Sequence, residues 1–438
     1  MSRLLDDLRI TGVAVGGAGI AREPSGRVVL VDGGLPGELL SAEVVSERRG
    51  HATAVAVAVA EPSPSRVVPP CPFVAAGCGG CGWQHVEVEA QPTLKADMVA
   101  DALRRLGGVA EPAVALGPVL PATGYRTTLR GVADGSGRFA LRRHHSHDLV
   151  AVPGCLVAHP LVVEILAEGR FPPGAGVTVR VGARTGERLV VVDPPDPGGM
   201  GDAADGRASG EVEGEADADA DHADDADDHE GGPAVDAEIV VPDDVRVVTG
   251  AQLAGGKRAW LHEEVSGVRL RVSARSFFQA GPEAAEALVT AVGSAVGPVG
   301  EGQRMADLYG GVGLFAATVG RHARVELVEA SASAAADARI NLRGLDARVV
   351  RGSVARWHPR RMDVVVADPP RSGLGRSGAR AVAASRAGRV VLVSCDAGAL
   401  GRDVRLLAAA GYRLASSTLV DVFPHTPHVE VVSLFVRR

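Results

Sequence analysis

The sequence predicts an α/β protein, with a doubly wound, mostly parallel sheet in its C-terminal part and smaller β units ahead of it. Three observations point there. From about residue 266 onward, Val-rich segments alternate with Ala-rich ones of helical character, the pattern of strand–helix repeats. Residues 8–60 hold short Val-rich runs divided by glycines, a spacing that suits a small barrel of the oligonucleotide-binding type. Residues 123–195 are again β-rich. In a chain of 438 residues the expected division is 1–62, 63–265 and 266–438.

The elements follow in order. VAVGGAGIA, GRVVLVDG, ELLSAEVVSE and ATAVAVAVA supply the barrel strands. EPSPSRVVPP (61–70) is a Pro-rich linker into a cysteine cluster. VEAQPTLKADMVADALRRL (88–106) has apolar side chains at helical spacing, so a helix is expected there, packing on the C-terminal domain. Residues 198–232 are acidic and nearly devoid of apolar side chains, and are expected to stay disordered. Strand-like segments resume at AEIVV and VRVVTG.

Charge and cysteine content narrow the class. The formal net charge is −7, but residues 201–230 hold 13 acidic residues and one arginine; the rest has 45 basic and 40 acidic residues, or +5. A mildly basic folded part is compatible with an RNA partner. No run of about 18 apolar residues is present, and Asp6 and Asp7 stand where a leader would be basic and then apolar. A cytoplasmic protein with no membrane association is expected, and a monomer. Five cysteines, Cys71, Cys78, Cys81, Cys155 and Cys395, argue against a disulfide framework and fit four metal ligands plus one reactive thiol.

The chemistry-bearing motifs all sit at the ends of predicted strands. MADLYGGVGLFAA (305–317) is a strand ending at Asp307, then a turn in which Gly311 and Gly313 allow close approach of a ligand. RVELVEAS ends in Glu329, a carboxylate placed to accept from ribose hydroxyls. MDVVVADPPRSGLG (362–375) aims Asp368 into the cleft through a stiff Pro-Pro loop. Arg371 stands where methylation of an exocyclic nitrogen would want an aromatic ring. RVVLVSCDAGALGRDVRLL (389–407) ends a buried strand at Cys395, just ahead of a helix whose N-terminus favours a thiolate. DVFPHTPHVEVVSLFVRR (421–438) places Glu430 at the start of the last strand, with His425 and His428 nearby.

These motifs together resemble the RNA uracil-5-methyltransferases, the family of the tRNA and 23S rRNA m5U enzymes. DLYGGVGLF is similar to the family's methyl-donor loop, DPPR to its aspartate–proline motif, SCDAGALGRD to its nucleophile motif and DVFPHTPHVE to its base motif. RSFFQAGPEAAEAL (275–288) resembles its Phe-Phe-Gln segment, and CPFVAAGCGGCGWQH the iron–sulfur segment of its rRNA-modifying members. The resemblance covers nearly the whole chain outside 198–232. It implies a Rossmann-like class I methyltransferase domain with an N-terminal OB-like (TRAM) β-barrel and a β-rich iron–sulfur central domain. It assigns Cys395 as nucleophile, Glu430 as general base, and Gln279, Tyr309, Glu329 and Asp368 as contacts to S-adenosylmethionine. Asp396, Ala397, Ala399 and Leu314 depart from the usual Asn, Pro, Thr and Asn, and none of these removes a catalytic side chain.

The implied reaction is attack of the Cys395 thiolate on uracil carbon 6, methyl transfer to carbon 5, and removal of the carbon 5 proton by Glu430. One free thiol suits uracil rather than cytosine, and the ring must be unstacked or single-stranded. Cys71, Cys78, Cys81 and Cys155 admit zinc or a [4Fe–4S] cluster on spacing; the resemblance implies the cluster, with His85 a ligand only in the zinc alternative. Arg126, Arg130, Arg138, Arg142 and Arg143 are candidates for phosphate contact, and Trp83 and Phe139 for base stacking. The expected partner is 23S rRNA. A tRNA uridine-54 methyltransferase and a non-catalytic RNA-binding iron–sulfur protein are the alternatives.

Overall fold

The computed structural model describes residues 3–195 and 238–438. The acidic tract 198–232 lies outside the described residues. An eight-stranded sheet runs from edge to edge through Ala347–Arg351, Arg324–Glu329, Arg304–Leu308, Val364–Ala367, Arg389–Ser394, Val431–Arg437, Tyr412–Leu419 and Ala115–Leu116. The first five strands are parallel, and Val431–Arg437 is antiparallel to both neighbours. The central strands read as unbroken apolar runs because both faces are covered. Val364, Val366, Val391 and Val393 feed one core, while Val365, Ala367, Val390 and Leu392 feed the other. The strand order reverses between Arg304–Leu308 and Val364–Ala367. Such a switch point opens a crevice at the carboxyl ends of the strands, where ligands of this fold class bind.

Two further six-stranded sheets precede it. The first joins Arg3–Arg9, Leu39–Glu47, His51–Glu61, Val28–Asp32, Gly19–Arg22 and Gly12–Val13 around Leu8, Ile10, Val29, Val31 and Leu40. The second joins Leu149–Ala151, Phe139–Arg142, Thr128–Ala133, Gly176–Val181, Arg188–Asp193 and Arg246–Thr249, with helix Pro160–Glu168 on its core. A hairpin, Trp260–Val265 with Val268–Ser273, leads into the C-terminal sheet. Its two-residue turn has positive φ at both Ser266 (51°) and Gly267 (75°), as a tight hairpin of native twist requires. Residue 266, where the sequence pattern changes, is therefore a turn.

Helix Gln91–Arg105 buries Met98, Val99, Ala102 and Leu103 on one stripe against helix Ala397–Ala409. The two approach closely at Gly401, where an added Cβ would lie 2.8 Å from the Leu106 Cβ and 2.9 Å from the Ala102 carbonyl oxygen. The start of the same helix grips the loop that leads to Glu430. The Gln91 side chain accepts from the His425 amide at 2.6 Å and donates to the Val86 carbonyl at 2.9 Å. Lys95, fully buried, donates to Asp421 at 2.6 Å and to the Phe423 carbonyl at 3.0 Å. The Trp83 amide donates to the His425 carbonyl at 2.9 Å, and the Trp83 indole to the Gly17 carbonyl of the N-terminal unit at 3.1 Å.

Candidate active site

Strand register brings Cys395 to Glu430. Ser394 pairs with Val431 in the antiparallel ladder, so the next residues, Cys395 and Glu430, face each other at its end. Asp368 closes the neighbouring parallel strand, its amide donating to the Leu308 carbonyl at 3.2 Å. Glu430 is 7% exposed, and its Oε2 has no hydrogen-bond partner among the described residues.

The electrostatics follow from burial. Asp368 is pushed up to about 7 by loss of water, against a hydrogen bond from Gln279. Glu430 is held well above the usual carboxylate range by burial and by the Asp368 charge, with Arg371 pulling the other way. Two buried carboxyls in mutual reach do not both ionise readily, so this pair retains a proton near neutrality. The Cys395 thiol is raised to about 12 by burial, then by Glu430 and Asp368, with Arg371 opposing. The helix after it begins at Ala397, and its cap Asp396 accepts from the Ala399 amide at 2.6 Å. Its N-terminus does not decide the protonation state, contrary to the expectation from sequence. Burial and the two acids outweigh it, and Cys395 rests as a thiol.

The crevice on the other side of the switch point is built from the glycine loop. Tyr309 adopts a left-handed φ of 58° and Gly313 one of 93°, so the chain turns sharply off its strand. Glu329 clamps this loop: one oxygen accepts from the Gly311 amide at 2.9 Å, the other from the Ser331 amide at 2.6 Å. Both oxygens keep lone pairs for hydroxyl donors. Asp307, fully buried, accepts from the Ala316 amide at 2.9 Å through Oδ2, while Oδ1 has no partner among the described residues. Its carboxyl is raised to about 7 by burial, then by Asp368 and Glu329. Three acids around one crevice, two of them half-neutralised by burial, fit a ligand that carries positive charge and hydroxyls, as S-adenosylmethionine does.

Sequence reasoning passed over several participants. Asp403 accepts from the Leu374 and Gly375 amides at 2.7 and 3.1 Å and so fixes the loop after Asp368; its only signal was its place at the end of SCDAGALGRD. Arg371 sits within electrostatic reach of both Cys395 and Glu430 and approaches the His428 ring at 3.5 Å. Two expectations fail. Trp83 and Phe139 cannot stack on RNA bases, because both are buried: the first against the N-terminal unit, the second in the middle core. The exposed aromatic is Phe277, at 69%, in the Phe-Phe-Gln segment. The arginines are also divided: Arg130 and Arg143 are exposed, whereas Arg126 lies beside Cys81 and Cys155.

The remaining four cysteines are all free thiols and gather at one place. Cys78 feels the charges of Cys155 and Cys71, and Cys81 those of Cys155 and Cys78. Burial raises Cys78, Cys155 and, to about 12, Cys81. Gln84 accepts from the Cys71 amide at 3.1 Å, while its side-chain nitrogen, buried beside the thiols, has no partner among the described residues. Four unpaired, desolvated thiols from two distant segments fit a soft-metal group. His85 stands among Arg66, Asp32 and Glu38, its ring lowered to about 4 by burial.

The chain has relatives among known proteins. A family model described as tRNA (Uracil-5-)-methyltransferase matches residues 353–438, which hold Asp368, Cys395 and Glu430. An uncharacterized RNA methyltransferase of Streptomyces coelicolor is 34% identical over 98% of this chain and 92% of its own. The 23S rRNA (uracil(1939)-C(5))-methyltransferase RlmD of Alkalilimnicola ehrlichii is 31% identical over 99% of this chain and 96% of its own. The Pyrococcus abyssi tRNA (uracil-54, C5)-methyltransferase, solved with S-adenosyl-L-homocysteine, shares the fold with a TM-score of 0.68, covering 98% of this chain and 99% of that one at 22% identity. Among the described residues no helix is long and apolar enough to cross a membrane. A crevice lined with acids beside a buried thiol, and relatives that match from end to end, have one common account: the chain belongs to the RNA (uracil-5-)-methyltransferases and is an S-adenosylmethionine-dependent enzyme of that family.

Proposed function

We propose that the protein methylates carbon 5 of one uridine in 23S rRNA, with Cys395 as nucleophile and Glu430 as general base. The observation that carries the mechanism is the facing pair Cys395 and Glu430 beside Asp368. Carbon 5 of uracil is a weak nucleophile. Addition of the Cys395 sulfur to carbon 6 pushes an electron pair toward carbon 5 and the ring carbonyl. The bound donor supplies an electrophilic methyl group on a positively charged sulfur. Carbon 5 takes that methyl, Glu430 accepts the proton that carbon 5 then gives up, and expulsion of Cys395 restores the ring. Glu430 suits the task because its second oxygen is unpartnered and its raised basicity draws it toward the proton. The thiol proton leaves first, passing through the Asp368–Glu430 pair to water, so that Glu430 is again an unprotonated base when carbon 5 gives up its proton.

Gln279, Tyr309, Glu329 and Asp368 hold the donor in this reading: Glu329 the ribose hydroxyls, and Asp368, positioned by Gln279, the charged end. Cys71, Cys78, Cys81 and Cys155 hold a [4Fe–4S] cluster. Four free thiols, three of them raised by burial and drawn from two distant segments, suit a soft-metal group, and the likeness of the cysteine segment to that of the rRNA-modifying members supports the cluster over zinc. The 23S rRNA assignment is supported by the RlmD relative, which aligns over nearly its full length. A tRNA uridine-54 substrate is the second reading, favoured by the end-to-end fold match. Methyl transfer to purified 23S rRNA and to tRNA, followed by mapping of m5U, separates them. Incorporation into 23S rRNA alone is expected; incorporation into tRNA alone overturns the assignment.

A further inference from the structure

We propose that Asp32, His144 and His145 form a zinc-type transition-metal site that fastens the N-terminal barrel to the middle sheet. Asp32 ends the barrel strand Val28–Asp32, and the two histidines lie in the turn between strands Phe139–Arg142 and Leu149–Ala151. More than a hundred residues apart in sequence, they converge on one atom. Oδ2 of Asp32 lies 2.5 Å from the His144 Nε2 and 3.2 Å from the His145 Nε2. The three ligand atoms lie within 4.8 Å of one another, and the two rings are 4.0 Å apart, centroid to centroid.

A single ion–dipole contact does not account for this arrangement. One imidazole would make an ordinary carboxylate–histidine contact; the second is brought to the same oxygen, which has lone pairs for both, through a left-handed backbone at His145, φ 54°, a conformation that strains a side-chain-bearing residue. Zinc bonds of about 2.0–2.2 Å place ligand atoms roughly 3–3.5 Å apart in a tetrahedron, so side-chain shifts of under an ångström convert the trio into a coordination shell. Two imidazoles and a carboxylate suit zinc and its neighbours rather than magnesium or calcium. The two histidines are exposed and Asp32 is half-buried, which leaves a fourth position for water. It is distinct from the cysteine group yet adjoins it: the His144 amide donates to the Gly77 carbonyl at 3.0 Å, next to Cys78. A metal here would hold the barrel against the turn that borders the cysteines.

The test compares full-length wild type with Asp32→Ala, His144→Ala and His145→Ala, singly and combined. Each protein is equilibrated with excess Zn2+ and freed of unbound metal, and zinc and iron are counted per chain. Because the cysteines are untouched, whatever they hold cancels in the comparison. One fewer zinc in the variants, with iron unchanged, is expected. Equal zinc in wild type and the triple variant overturns the site. Limited proteolysis in the 61–70 segment, with and without zinc, reads the fastening: zinc should slow cleavage of wild type and not of the triple variant. Loss of the zinc without any change in cleavage overturns the fastening role.

Discussion

At the scale of single residues, the site is governed by desolvation. Asp307 illustrates it most cleanly. Its carboxyl is raised to about 7, against an ordinary value of 3.8. Between those two values the folded protein keeps a proton that the unfolded chain has released, so stability falls as pH rises through that window and levels off above it. In the donor-free protein, Asp307→Asn removes this penalty. Thermal unfolding should show little difference between variant and wild type near pH 4, and a gain for the variant that widens up to about pH 7. A gap independent of pH would contradict the assignment. The same physics explains why Cys395 was legible as a candidate from its place at a strand end, while its protonation state was not. Sequence shows the helix that follows; it does not show that Glu430 and Asp368 come to rest beside the sulfur. Trp83 misled for a similar reason, since a tryptophan near a cysteine cluster looks available until the N-terminal unit covers it.

At the scale of elements, the strand–helix alternation after residue 266 was readable because apolar period and glycine punctuation agree there. The helix at 88–106 was readable from its stripe, and forms as Gln91–Arg105 after a single 3-10 turn. Less visible were elements whose pairing is distant. RLLDDLR forms the edge strand Arg3–Arg9 of the first six-stranded sheet although its pattern alternates poorly, and Ala115–Leu116 joins the C-terminal sheet from far away in sequence. The grip of helix Gln91–Arg105 on the 421–428 loop is of this kind. Gln91→Leu would orphan the buried His425 amide and Val86 carbonyl, and each costs roughly 1–3 kcal/mol. A lower denaturant midpoint and slower methyl transfer are expected, with affinity for S-adenosyl-L-homocysteine unchanged, because the donor crevice lies on other strands. Loss of ligand affinity in proportion to activity would contradict that separation. Asp403→Ala tests the opposite side. It removes the acceptor for the Leu374 and Gly375 amides, so the loop after Asp368 loosens and donor affinity should drop first.

At the scale of the whole molecule, several segments converge on one loop. The cysteine segment and the long helix bond to residues 421–428 through Trp83, Gln91 and Lys95, a few residues ahead of Glu430, and Trp83 in turn bonds Gly17 of the N-terminal unit. A metal group among the cysteines would therefore brace the approach to the proposed base without entering the methyl transfer. Protein purified without oxygen should be brown and carry about four irons per chain; Cys155→Ser should lose the colour, and a colourless, zinc-loaded wild type would refute the cluster.

The central claim is that Cys395 forms a bond to uracil which Glu430 then helps to release. Glu430→Gln, incubated with 23S rRNA and S-adenosylmethionine and run on a denaturing gel, reads both halves together. The account predicts a protein–RNA adduct that survives denaturation, accumulates with methyl transfer and disappears in the Cys395→Ala/Glu430→Gln double variant. An adduct that persists without Cys395, or full turnover by Cys395→Ala alone, would contradict it.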